Sequence, residues 1–386
     1  MPLFQLPPIE ISKDVVLQPT LSARTRFESR NNRDFRGEAK DRKDDLYFRV
    51  RPGFTAKVGD RWSAAFEFQY AHTTTELPRD TERDDFRDAT LAYVAYKDEK
   101  AKVTIGRQKI PLGSERLIGP LEWANVARSF DGLRIQSGNW DVFGFEVGVQ
   151  QPRPVTDARY VGGSFQSKYG LTYAVHKSSR LKGVDTKHTT LAHHWTKSQG
   201  LWNYEAEGAL QFGEVGPRDQ EAWAVHLQAG RTLATRTKAW VEFNAASGGA
   251  SRGKNRTFDN LLPTNHKFYG SMDLMAWKNM NEVAAGVSHK TGKDGELRLH
   301  GHWFSLRDPR DAWYGASGAA LRRDATGASG RDVGWEIDLE YAHQIDARNQ
   351  IHAGIASFQP GKFVDRLTPG KADSQTWLYL SWSWKM

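Results

Sequence analysis

Two Arg-x-Arg pairs, Arg24 with Arg26 in SARTRFE and Arg49 with Arg51 in FRVRP, are the residues best placed to do chemistry in this chain. A separation of two puts both guanidinium groups on one face of a strand. Two such pairs on neighbouring strands stand roughly 5 to 7 Å apart and form a ladder. The planar fork of Arg pairs carboxylates bidentately and stays charged, so the ladder suits reversible binding of carboxylates. Arg134, Lys102, Arg298 and, toward the mouth, Arg107 extend the basic set. On the same phase of other segments lie Glu67, Glu205, Glu207, Glu242, Glu296, Glu336, Asp338 and Glu340. Interleaved with the arginines, these carboxylates would cancel them in salt-bridge networks. Segregated on another wall, they would leave a transverse field. His300 and His302 in LHGHW share a face with Arg298. A His-x-His pair can bind metal, but the neighbouring sequence shows neither softer ligands nor the partners that would orient the imidazoles. They are therefore read as polar wall residues, with no metal and no cofactor.

Bond-making chemistry finds no support. Cysteine is absent, which removes thiolate catalysis, disulfides and Cys-ligated zinc. There is no G-x-S-x-G elbow and no paired-carboxylate motif. GASRGKN at 249–255 has too few constraints for a phosphate loop and reads as an ordinary loop. The formal charge of +8 points to anionic partners. Nucleic acid is disfavoured, because the aromatics do not interleave with Lys and Arg on one face. No catalytic residue is assigned, and the chain is read as a non-enzyme.

The elements that must position these groups are strands. In RWSAAFEFQY, Trp62, Ala64, Phe66, Phe68 and Tyr70 form one set and Ser63, Ala65, Glu67 and Gln69 the other. The same period of two runs through Val15–Glu28, Leu46–Val58, Trp202–Phe212 and Thr376–Met386. In Val333–Tyr341 it sets Val333, Trp335, Ile337, Leu339 and Tyr341 against Glu336, Asp338 and Glu340. Each strand is thus greasy on one face and ionised on the other. The chain holds 14 Trp, 19 Phe, 12 Tyr and 35 Gly at a mean hydropathy of −0.65, and no stretch nears the ~18 apolar residues of a membrane helix.

Short connections near 58–60, 97–100, 137–139, 168–170, 197–200, 233–237, 292–295 and 346–349 alternate with longer polar ones. The longer ones fall near 30–44, 72–86, 110–127, 151–158, 179–187, 248–280, 307–331 and 360–373, with a briefer one at 214–219. Both chain ends fall on the short side, which requires an even number of strands, about 18. Tight turns on one rim and long loops on the other describe a transmembrane antiparallel β-barrel of the outer membrane. Closure removes the unpaired edge that lipid would not tolerate. A propeller or lectin would show a repeat of ~40 residues, and none is found. The expected organisation is one barrel domain over 1–386, with a lead-in at 1–14 and one long loop at 248–280, extracellular or folded into the lumen. MPLFQLPPIEISKD lacks the features of a signal peptide, so the chain reads as a mature form.

Three segments carry a family resemblance. GRQKIPLGSERLIGPLEWANVARSFDGLRI at 106–135 and NAASGGASRGKNRTFDNLLPTNHKFYGSMDLMAWKN at 244–279 are similar to two loop motifs of the alginate-export family of outer-membrane porins, and the hairpin spacing up to GHWFSLRD at 301–308 follows it. The family's ASGD reads ASGG here, so no role of that Asp is carried over. Its FPT element reads LPT at 262–264, and the chain ends in Met386 where an aromatic is usual. The resemblance implies an 18-stranded monomer whose narrow, Arg-lined, anion-selective channel passes secreted polyuronate outward. Expected partners are anionic polysaccharide or small anions, and outer-membrane lipid. An inward-directed porin for small acids and a barrel serving as enzyme or structural support are the alternatives. In the long loop, Phe258, Asp259, Pro263, Asn265, His266, Tyr269 and Asp273 mix apolar and hydrogen-bonding types, as a gate packed into the lumen would.

Overall fold

The structure, a computed structural model, describes residues 7–37, 41–75, 85–150, 157–181, 183–251 and 253–386. Among these, eighteen strands form one closed antiparallel barrel. They are β1 (Val15–Asn31), β2 (Lys43–Val58), β3 (Trp62–Thr75), β4 (Asp85–Lys97), β5 (Lys102–Gln108), β6 (Ser129–Ser137), β7 (Trp140–Val149), β8 (Arg159–Ser167) and β9 (Gly170–Leu181). The second half comprises β10 (Val184–Gln199), β11 (Trp202–Val215), β12 (Arg218–Ala234), β13 (Thr237–Ala246), β14 (Met280–Lys290), β15 (Gly295–Leu306), β16 (Asp332–Gln344), β17 (Asn349–Pro360) and β18 (Gln375–Lys385). Each strand pairs with its neighbour, and β18 closes on β1 through Ser22↔Lys385 to Asn31↔Thr376. A short strand, Ile9–Ser12, pairs with the start of β1.

The stretch 158–178 is two strands that turn after Ser167, as the parity of turns requires. The long connection expected at 179–187 is instead a tight turn, because β9 runs to Leu181 and β10 starts at Val184. Those at 72–86 and 151–158 lie partly outside the described residues.

The pleat sorts side chains as the alternation predicts. Leu210, Val241, Leu227 and Val283 are 59, 59, 50 and 54% exposed, and similar residues ring the barrel. In water such a belt would far exceed the few hundred Å² of apolar patch that monomers tolerate, as the outer face of a membrane barrel does. Trp62, Trp140 and Trp202 follow short turns, where a girdle anchors in the headgroups. On the other face, Ala65 and Gln69 are buried within the lumen beside Glu67.

The phase assigned to Val333 is corrected: it is fully buried rather than lipid-facing. Phe304 pairs with Gly334 while Ser305 pairs with Asp332, so Val333 is an extra residue in a β-bulge. Gly334 has φ +138, and a Cβ there would lie 2.2 Å from the Gln359 carbonyl oxygen, so glycine is required.

Candidate functional site: two loops clamped in a charged lumen

Two connections turn into the barrel. The first inner loop, 109–128, joins β5 to β6, and the second, 247–279, joins β13 to β14. These are the two segments that carried the motifs. Of seven described non-glycine residues with positive φ, Glu115, Leu121, Leu261, Asp273 and Asn279 lie in these loops. Each such conformation costs about 1–3 kcal/mol and persists where surroundings over-determine it.

The surroundings do so. Leu262 N donates to the Leu117 carbonyl at 2.9 Å, Gly119 N to Leu262 at 3.0 Å and Thr264 N to Glu115 at 3.0 Å. The loops thereby share a short ladder across the lumen. Arg128, 5% exposed, locks it: Nη1 donates to the carbonyls of Gly119 at 2.9 Å, Leu262 at 2.5 Å and Pro263 at 3.1 Å. Burial lowers its guanidinium to about 10, which leaves it charged at neutral pH. Arg116 Nη2 donates to Glu242 at 3.0 Å, and its guanidinium lies 3.9 Å from the Phe268 ring centre.

The basic pairs hold the first loop. Arg24 donates to the carbonyls of Glu122 and Ala124, both at 3.0 Å, and Arg26 to that of Trp123 at 2.6 Å. Arg49 repeats the first two contacts at 3.1 and 3.0 Å. Arg51 reaches the Glu122 carboxylate at 2.8 Å and Gln69 at 2.7 Å, and Lys109 reaches the same carboxylate at 2.5 Å. Trp123 is sandwiched, with the Arg26 guanidinium 4.0 Å from its ring and His266 of the second loop stacked at 3.9 Å.

Enclosure pushes the Glu122 carboxyl up, but Arg51, Lys109 and Arg49 outweigh it and hold it at about 2. The ordinary value is 4.5, so this attraction is complete above that pH and fades as pH falls toward about 2. Bilayer conductance should stay flat from neutrality to about pH 4.5. It should rise on further acidification as the loop loosens, and Glu122→Gln should abolish that acid response.

The second loop is held by the acidic wall. Met272 N donates to Glu336 at 2.8 Å, Ser271 N to Asp338 at 3.3 Å and Ser271 Oγ to Glu340 at 3.1 Å. Gly270, at φ +81, permits this approach, since a Cβ would fall 2.6 Å from Glu336 Oε1. Asp259 takes Lys177 at 2.6 Å and His188 at 2.9 Å, and despite burial the Lys177 charge and the His188 hydrogen bond hold its carboxyl well below the usual range. Phe258 is fully buried against Trp277. Tyr269 is buried beside Arg116, Asn265 donates to Ala316, and His266 meets Asp273 at 3.1 Å.

The remaining wall residues divide. Glu207 accepts from Tyr173 and from Ser114 of the first loop, and Glu205 faces His194. Glu67 takes Thr90 at 2.7 Å. Arg134 is in the lumen but tied to Asp141 at 2.6 Å, and Arg298 to Glu296 at 2.8 Å. Lys102 sits on the lumenal phase beside its short turn. Arg107 is corrected: it pairs in register with Ala92 and Asp131, on the phase of the exposed Ile105 and Leu133, and bridges Asp88 and Asp131. An offset of five from Lys102 reverses the face.

Basic groups on β1 and β2 and carboxylates on β11 to β16 therefore occupy different sectors of the wall. Glu122, Trp123, Arg116 and Arg128 were not singled out from the sequence. The signal that marked the second loop, a long mixed apolar and polar stretch without period two, was present around them as well.

A closed barrel that is apolar outside and charged and loop-constricted within defines a channel of the bacterial outer membrane. The profile of the alginate export family matches residues 16–377, and the chain belongs to that family. No curated protein matches the sequence. Among solved structures it is similar to OccK5 (OpdH) of Pseudomonas aeruginosa, at 10% identity and a TM-score of 0.65, with 96% of this chain and 98% of that one covered. OpdQ and the outer membrane protein opdK of the same organism are each 12% identical at a TM-score of 0.63, with 96% of this chain and 99% of theirs covered. Identities this low show the fold alone.

Proposed function

We propose that this channel passes an acidic polysaccharide outward, a polyuronate such as alginate, and that a single copy suffices because one lumen holds the whole constriction. One observation carries the reading. Arg24, Arg26, Arg49, Arg51 and Lys109 converge on the Leu121–Ala124 segment, five cations that among the described residues share only the carboxylates of Glu28, Glu67 and Glu122. That segment presents a carboxylate flanked by carbonyl oxygens, the same acceptors a uronate presents with its ring and hydroxyl oxygens. An arriving uronate takes the place of Glu122, binds bidentately and passes on to the next guanidinium. Family membership supports a polymer. So does a cavity of about 690 Å³ at the extracellular end, lined by Lys177, Arg218, Lys278, Arg310 and Arg323 together with Asp259, Asp308 and Asp311.

The zipped loops favour a second reading, uptake of small carboxylates, because the ladder between them narrows the lumen. Planar-bilayer recording separates the two. Oligouronates are expected to block the chloride current in a length-dependent way, with longer chains residing longer. Equal block by a monomeric uronate and its oligomers would favour the small-acid pore.

A further inference from the structure

We infer that His300, His302 and Asp338 form a divalent-metal site of the zinc type in the lumenal wall, at the foot of the second inner loop. The strand register puts His300 directly opposite Asp338 and His302 directly opposite Glu336. His300 Nδ1 and His302 Nε2 face each other at 2.7 Å, and Asp338 Oδ2 lies 3.5 and 3.4 Å from them. Ligands about 2.0–2.1 Å from a tetrahedral zinc stand about 3.3 Å apart, so an ion enters this triangle once the two nitrogens, now at 2.7 Å, part by about 0.6 Å.

The outer nitrogens carry the argument. His302 Nδ1 is held by Glu282 at 2.6 Å and His300 Nε2 by Glu340 at 3.4 Å. With the carboxylates ionised and both imidazoles neutral, each outer nitrogen carries the proton that its carboxylate accepts, and the inner nitrogens then turn lone pairs toward each other. Two lone pairs at 2.7 Å repel unless a cation stands between them. A carboxylate behind each histidine is the arrangement that orients imidazoles around zinc.

Charge points the same way. Among the described residues Glu282, Glu336, Asp338 and Glu340 have no Lys or Arg partner, and the two imidazoles meet three of these carboxylates, Glu282, Asp338 and Glu340. Asp338 Oδ1 and Glu336 Oε2 are buried without a hydrogen bond, an arrangement that costs free energy. A shared proton relieves one lone-pair clash, whereas a divalent ion also uses Asp338. His300 is 15% exposed and gives an ion access from the lumen, and three protein ligands leave a fourth position for water.

The test uses the full chain, folded in detergent and stripped with chelator. Wild type is expected to bind about one equivalent of Zn²⁺, and Co²⁺ should give the intense visible bands of a four-coordinate site. Glu282→Gln should weaken binding about 10- to 100-fold, and His302→Gln at least as much, with heat-modifiable gel migration showing that the barrel remains folded. His193→Gln, on the exposed β10 face, should leave binding unchanged. No saturable binding by wild type would overturn the site and leave a shared proton between the histidines. Binding undiminished by His302→Gln, or lost with His193→Gln, would overturn it equally. None of these outcomes bears on anion passage.

Discussion

Replacing Arg49 and Arg51 together by Gln is expected to abolish the preference for chloride over potassium, a fall of about tenfold or more in the permeability ratio. At an effective dielectric of 20 each unit charge interacts with an ion 4 Å away by about 4 kcal/mol, and a tenfold change needs only about 1.4 kcal/mol. The double change also strips Glu122 of partners at 2.8 and 3.7 Å, which leaves that carboxylate balanced, among the described residues, by Lys109 alone. Gln keeps hydrogen-bonding capacity toward the same carbonyls, so the barrel should assemble normally. Zero-current potentials in a KCl gradient measure the effect, and an unchanged ratio would remove these arginines from the selectivity mechanism.

Arg128→Met is expected to raise single-channel conductance several-fold and to add flicker, with ion preference retained. The guanidinium donates to carbonyls of both loops, at 2.9 Å to Gly119 and 2.5 Å to Leu262. Met fills the space but offers no donor. Each buried group left unpaired costs about 1–3 kcal/mol, enough to free loops already strained at Leu121 and Leu261. The Arg49 and Arg51 contacts are untouched, so selectivity and conductance should separate in this variant. Unchanged conductance would mean that the loop ladder does not limit flow.

Much of the fold was legible because lipid and water impose opposite chemistries on alternate residues. Trp62, Phe66 and Phe68 against Glu67 and Gln69 declare both solvents within one strand. The rule fails where the pleat is interrupted, as at Val333, where a bulge shifts the phase by one. Arg107 was misplaced by position along the barrel, although counting from Lys102 gives its face.

The site was less legible. Arg128 and Leu262 meet across 134 residues of sequence, and nothing local to either loop announces the other. Glu122 lies where no period operates, so its role as partner of Arg51 emerges only once the loop folds inward. The His300–Asp338 pairing likewise depends on strand register across the 307–331 connection, which spacing alone does not determine.

A segregated guanidinium wall that makes this barrel an anion path must show itself in the zero-current potential of the unaltered channel under a KCl gradient. A potential of the sign set by chloride is expected, and one of the sign set by potassium would rule out the anion path.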